Sequence, residues 1–146
     1  MSIKQMSVFL ENRLGALAEF TAFLAEKNID LFAMSLADTT DFGIVRTIVD
    51  DTDRALALVK EQGYTANVTP VLAVAVQDTP GGLSSALAAL HEGNVSIEYL
   101  YSFVRRVNHN AVIIFRVSDA EGAERILLDK GLSLLGQEEI GGAKGS

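Results

Sequence analysis

Asn12-Arg13-Leu14-Gly15-Ala16-Leu17 returns 66 positions later as Asp78-Thr79-Pro80-Gly81-Gly82-Leu83. Outward from this stretch the match continues at the same offset. Leu24 meets Leu90, Asn28-Ile29 meets Asn94-Val95, and Leu31 meets Ile97. After a two-residue insertion the offset becomes 68, pairing Ile44-Val45 with Val112-Ile113, Asp51 with Asp119, and Gly63-Tyr64 with Gly131-Leu132. The chain is one small module written twice. A duplicated module sets two copies of each loop about an expected pseudo-twofold axis, where small ligands can be clamped.

Each copy has the same element pattern. Met6, Val8 and Leu10 alternate with Ser7, Phe9 and Glu11, as Leu72, Val74 and Val76 alternate with Ala73, Ala75 and Gln77, which reads as a strand. A helical stripe follows: Leu17, Phe20 and Leu24, then Leu83, Leu87 and Leu90. Pro80 suits a first helical turn, with Thr79 as its expected cap. Two strand-like runs come next in each copy, 29–37 with 42–49 and 96–104 with 110–117, joined by polar hairpins. Second helices open at Asp50 with Asp53 and at Ser118 with Glu121, in capping-box spacing. Gly63 and Gly131 stop them. Short final strands fall at 65–69 and 134–137.

Strand-helix-strand-strand-helix-strand is the split βαβ, or ferredoxin-like, pattern. The expected fold is therefore α+β, with two tandem βαββαβ units at 1–70 and 71–140, a largely antiparallel sheet and helices on one face. A disordered tail is expected at 141–146. Third strands that are apolar on both sides, with Phe9, Ala73 and Ala75 in the outer phase of the first strands, imply that the open face is covered. The expected cover is a second copy of the protein, with Ile113 or Phe115 on that face.

Composition narrows the function. The 146 residues are 49% hydrophobic, enough for a core, and carry no cysteine, which removes disulfides and thiolate sites and points to the cytoplasm. A net charge of -7 argues against nucleic acid and anionic membrane as partners. No apolar run is long enough for a signal peptide or a membrane span. His91 and His109 have no second ligand nearby, so no metal and no cofactor are expected. Neither a nucleophile elbow nor a glycine-rich phosphate loop occurs. The run Asp50-Asp51-Thr52-Asp53 fits a helix N-terminus better than a cation site.

Other functions on this fold have residue requirements. RNA recognition needs exposed aromatics on the first and third strands and a basic surface; a soft-metal carrier needs paired cysteines. An acylphosphatase-like enzyme needs an arginine after the first strand; Arg13 stands there, but in a loop with a different glycine pattern. What remains is the repeated loop itself. A helix N-terminus offers unpaired N–H groups to a carboxylate, Gly15 and Gly81 allow close approach, and Asn12 and Asp78 accept from an ammonium. Equally, Asn12 and Asp78 could be helix caps and the glycines simple turns.

Two βαββαβ units with Asp/Asn-x-x-Gly-x-Leu after the first strand resemble ACT domains, regulatory modules of amino-acid metabolism, over nearly the whole chain. Asp78-Thr79-Pro80-Gly81-Gly82-Leu83 is close to the family pattern, while Asn12-Arg13-Leu14-Gly15-Ala16-Leu17 has Leu14 where proline stands. The resemblance implies that the units pair side by side and hold amino acids between the first loop of one and the second strand of the other. It puts Asn12 and Asp78 at the position whose side chain meets the ligand, Asp30 and Ser96 at the polar start of the second strand, and the backbone of Leu14, Gly15, Ala16, Gly81 and Gly82 against the carboxylate. Asp78 and Asp30 bring negative charge to a ligand carboxylate, so one site is expected to be empty or to select a cationic amino acid. Tyr99 and Tyr101, within Glu98-Tyr99-Leu100-Tyr101-Ser102-Phe103, are core residues or frame a side-chain pocket.

The expected protein is a non-catalytic, allosteric sensor that binds a free amino acid and, as a homodimer, regulates itself or a partner enzyme of amino-acid metabolism. An assembly module acting through its open sheet face is the alternative, and an acylphosphatase-like enzyme the lesser one.

Overall fold

The computed structural model describes residues 1–38 and 41–142, the last two by backbone only. Twelve elements follow one another: β1 (Ile3–Glu11), α1 (Ala16–Glu26), β2 (Leu31–Asp38), β3 (Phe42–Val49), α2 (Thr52–Glu61), β4 (Thr65–Val76), α3 (Gly82–Glu92), β5 (Ile97–Ser102), β6 (Ala111–Val117), α4 (Ala120–Asp129), β7 (Ser133–Leu135) and α5 (Gln137–Gly142). The chain forms two compact units, Lys4–Thr69 and Pro70 onward together with Met1–Ile3. Each has the ferredoxin-like order and an antiparallel sheet, and β4 supplies both the last strand of the first unit and the first strand of the second.

In the first unit β3 lies between β1 and β2, with Val8 opposite Val45 and Leu36 opposite Val45. One face of this sheet meets both helices: Met6, Val8, Leu10, Val45 and Val49 pack with Phe20, Phe23 and Leu24 of α1 and with Ala55 and Val59 of α2. Thr47 is buried among them, and its hydroxyl donates to the Met6 carbonyl at 2.9 Å. In the second unit β6 lies between β4 and β5, and β7 adds to the other edge of β4. Leu72, Val74, Ile113 and Phe115 form the core with Ala86 and Leu90 of α3 and Ala123 and Leu127 of α4.

Three local expectations are corrected. Asp51 and Asp119, not Asp50 and Ser118, cap α2 and α4, accepting from the Arg54 and Gly122 amides at 3.2 and 3.0 Å. Asp50 and Ser118 are drawn instead to the starts of β2 and β5, where they accept from the Asp30 and Ser96 amides, each at 3.1 Å. Thr79 does not cap α3, because Gly81 takes the capping position in the left-handed region with no side-chain hydrogen bond. The tail expected from Gly141 begins as the last turn of α5, and residues 143–146 lie outside the described residues, as do 39–40 of the first hairpin.

The open sheet face also differs from expectation. Ile113 and Phe115 both face the helices, so Val112 and Ile114 point the other way with Ala73 and Ala75 opposite them. All four are buried within a single chain, Ile114 completely. On the corresponding face of the first unit Ile48 is buried too, and what stays open is Phe9, 38% exposed, and Phe42, 53% exposed. The large bare face that called for a second chain is reduced to this aromatic pair.

Candidate functional site

The two repeated loops fold alike. Gly15 has φ 85° and ψ -8°, Gly81 φ 90° and ψ -8°, and each begins its helix without any side-chain cap. A left-handed φ at this point turns the chain from strand to helix, and only glycine takes it without strain. The four leading N–H groups of a helix have no intrahelical acceptor. Backbone carbonyls accept in part: Ala16 donates to Arg13 at 3.2 Å and Gly82 to Thr79 at 3.1 Å. Gly15 and Gly81, not Asn12 and Asp78, take the capping positions of the two helices.

Around loop one, the Asn12 amide donates to the Asp41 carbonyl of the first hairpin at 3.3 Å. Leu14 is fully exposed. Arg13 forks onto the Glu19 carboxylate at 2.6 and 3.2 Å and lies 3.4 Å from Glu11. The hydrogen bond from Arg13, and then its charge, hold the Glu19 carboxyl below the usual carboxylate range, and Glu19 raises the Arg13 guanidinium in return. An arginine engaged in this way is poorly placed to cradle a phosphate, which counts against the acylphosphatase-like reading. Asn12, Arg13, Leu17, Leu36 and Asp38 surround an open groove of about 190 Å³.

Around loop two, the Asp78 carboxylate forms an ion pair with Arg106 from the second hairpin. That hairpin is longer by the two inserted residues and closes on Asn108 and His109, at φ 51° and 67°, between reciprocal Val107–Asn110 hydrogen bonds of 3.1 and 3.0 Å. Two successive positive φ values make the tight turn that favours a hairpin. Beside loop two lies a groove of about 330 Å³ with Gln77, Ser85, Asn110, Lys130 and Ser133 on its walls. Its counterpart in the first unit, about 400 Å³, is aromatic instead, with Phe9, Phe42 and Tyr64.

Asn12, Arg13, Leu14, Gly15 and Ala16 come together in one loop, and Asp78, Pro80, Gly81 and Gly82 in the other. Within each unit the second-strand residues stand apart from them. Asp38 pairs with Gly43 near loop one while Leu31 pairs with Val49, so Asp30 lies at the far end of β2. Ser96 occupies the same far end beside Ser118. Tyr99 and Tyr101 stack at 6.4 Å on the sheet face turned from the helices, Tyr101 buried and Tyr99 half-buried. Glu19 and Arg106 were not anticipated from the sequence. The signal for Arg106 was there in the charge of the two hairpins, acidic at Asp38 and Asp41 and basic at Arg105 and Arg106. Among the described residues no group of three or more histidines or carboxylates is placed to hold a metal ion, and no helix is long and apolar enough to cross a membrane.

Residues 1–142 match the family model described as an ACT domain pair. Protein BT0572 from Bacteroides thetaiotaomicron has a similar structure, with 37% identity and a TM-score of 0.87 over 97% of this chain and 96% of that one. The regulatory subunit of aspartate kinase from Thermus thermophilus, in a ligand-free form, shares the fold at 17% identity and a TM-score of 0.59, over 86% and 91%. The corresponding subunit from Thermus flavus does so at 15% and 0.53, over 86% and 90%. Comparison with the curated proteins gave no match.

Proposed function

The chain belongs to the ACT domain pair family, and from that premise we propose that it is a non-catalytic regulatory sensor, cytoplasmic, that binds a free amino acid through its β1–α1 and β4–α3 loops. The observation that carries this reading is the pair of loops themselves. Both place a left-handed glycine at an uncapped helix start, beside Asn12 in one and Asp78 in the other. Main-chain donors for a carboxylate and a side-chain acceptor for an ammonium are the two halves of α-amino-acid recognition. In this reading Asp30, Ser96, Tyr99 and Tyr101 of the second strands supply further contacts to the ligand. Binding then changes the affinity of the protein for itself or for a partner enzyme. The aspartate kinase regulatory subunits that share the fold support such a role.

Thermal melts against the twenty amino acids at millimolar concentration test it, since a ligand that binds only the folded state raises Tm. A melting point that none of them moves would sink the proposal. A second reading, an assembly module, is favoured by the exposed Phe9 and Phe42 on the open sheet face. It requires no ligand response and a mass that changes when that pair is altered.

A further inference from the structure

We propose that Arg106 is a built-in occupant of loop two: its guanidinium sits on the Asp78 carboxylate where the ammonium of an amino acid would otherwise be held. Loop one therefore fills first. The inference rests on the reading of both loops as amino-acid sites.

The two repeats differ at this place in a way their backbones do not. Both loops start a helix from the same left-handed glycine geometry, so they offer main-chain donors alike. What differs is the hairpin beside each. The first is short and acidic; it meets Asn12 through the Asp41 carbonyl and brings Asp38 to the edge of the loop-one groove. Among the described residues no hydrogen bond or ion pair engages the Asp38 carboxylate. An incoming ammonium there meets acceptors, and the cation on that groove wall, Arg13, is already forked onto Glu19. The second hairpin is two residues longer and basic, and the extra length delivers Arg106 onto Asp78.

A guanidinium has donors only, five N–H groups in a fixed fork, and suits a carboxylate better than an ammonium does. A ligand ammonium at Asp78 must displace it. The pair is open to water, with side chains 45% and 68% exposed, and half-exposed ion pairs of this kind hold by a factor of about fivefold at most. The expected result is unequal sites filled in order, not a closed second site.

Gly15 and Gly81 give the two loops separate amide reporters. Uniformly ¹⁵N-labelled protein would be titrated in turn with L-lysine, L-threonine and L-leucine while both resonances are followed. In the wild type the Gly15 amide should saturate at about fivefold lower ligand concentration than the Gly81 amide. In Arg106→Ala the Gly81 curve should tighten by about that factor, with Gly15 unmoved. Arg106→Gln, which keeps most of the side chain's length but not its charge, should shift the Gly81 curve the same way and covers the case in which Arg106→Ala does not fold. Equal curves in the wild type, or a Gly81 curve that neither variant tightens, would overturn the role of Arg106 and leave the amino-acid reading standing. No movement of either amide, with any of the three amino acids in any of the three proteins, would overturn both.

Discussion

The Asp50 carboxylate accepts a hydrogen bond from the backbone N–H of Asp30 at 3.1 Å and so fastens the end of β3 to the start of β2, with Asp30 returning its carbonyl to the Asp50 amide at 3.1 Å. Ser118 and Ser96 repeat the arrangement in the second unit. The Asp30 contact is half-buried and the Ser96 contact open to water, so loss of the acceptor is felt more in the first. We expect Asp50→Ala to cost about 1–2 kcal/mol in urea unfolding and Ser118→Ala about 0.5 kcal/mol. Asp51→Ala, which removes the α2 cap, should cost about 1 kcal/mol.

The loop glycines separate strain from space. A side chain at Gly15 would meet nothing within 4 Å but would sit at φ 85°, so Gly15→Ala should lose about 1–2 kcal/mol from the left-handed backbone alone. Gly15→Val adds a β-branch to that strain and is a poor probe of ligand contact. Gly15→Asn tolerates the conformation better and should keep the fold while abolishing the melting response to the amino acid. An undiminished response would place the ligand elsewhere. Gly82 is different, since a Cβ there would collide with the Gln77 carbonyl. Gly82→Ala should lower stability by about 1–3 kcal/mol through overpacking.

Glu19 titrates below the ordinary glutamate range because of its bond to Arg13. The sign follows: a depressed folded-state value means that the pair supports the loop above the unfolded pKa and is lost as pH falls through the folded one. Carboxyl ¹³C resonances should show the Glu19 midpoint below the ordinary glutamate range, and Arg13→Ala should return it there. A Glu19 midpoint that Arg13→Ala does not move would show that the pair is not held in solution.

Ile114→Glu and Phe42→Glu should fail in different ways. Ile114 is completely buried, and a carboxylate there costs several kcal/mol, so the chain should unfold or melt far lower. Phe42 is 53% exposed. Phe42→Glu should leave Tm nearly unchanged and, if Phe9 and Phe42 join two copies, halve the mass measured by sedimentation. A wild-type mass of one chain at micromolar concentration would exclude a homodimer.

Much of this fold was legible because the signals were local and doubled. β3 came out with its ends, Phe42–Val49, since a strand-length run rich in apolar residues and bounded by Asp41 and Asp50 leaves little choice. The caps were misplaced by one residue for a nonlocal reason. Asp50 and Asp53 have the spacing of a capping box, but the Asp30 amide across the sheet claims Asp50 and leaves the cap to Asp51. The loop backbone was readable from its glycines, whereas the Arg106–Asp78 pair depended on how far a longer hairpin reaches, and no repeat alignment states that. The open face was misjudged at Ile113 and Phe115 because β6 is apolar in both phases, so its pattern does not say which phase meets the helices.

Met1–Ile3 belong with the second unit although they precede the first, and the Met1 amine reaches Glu124 at 2.6 Å across a sequence separation of 123. The first unit is continuous from Lys4 to Thr69 and draws on neighbouring sequence alone. The second draws together residues far apart in sequence, closing a loop whose entropic cost grows only slowly with length but whose formation is slow. Folding should thus be sequential, with the first unit, built from contiguous residues, forming before the second.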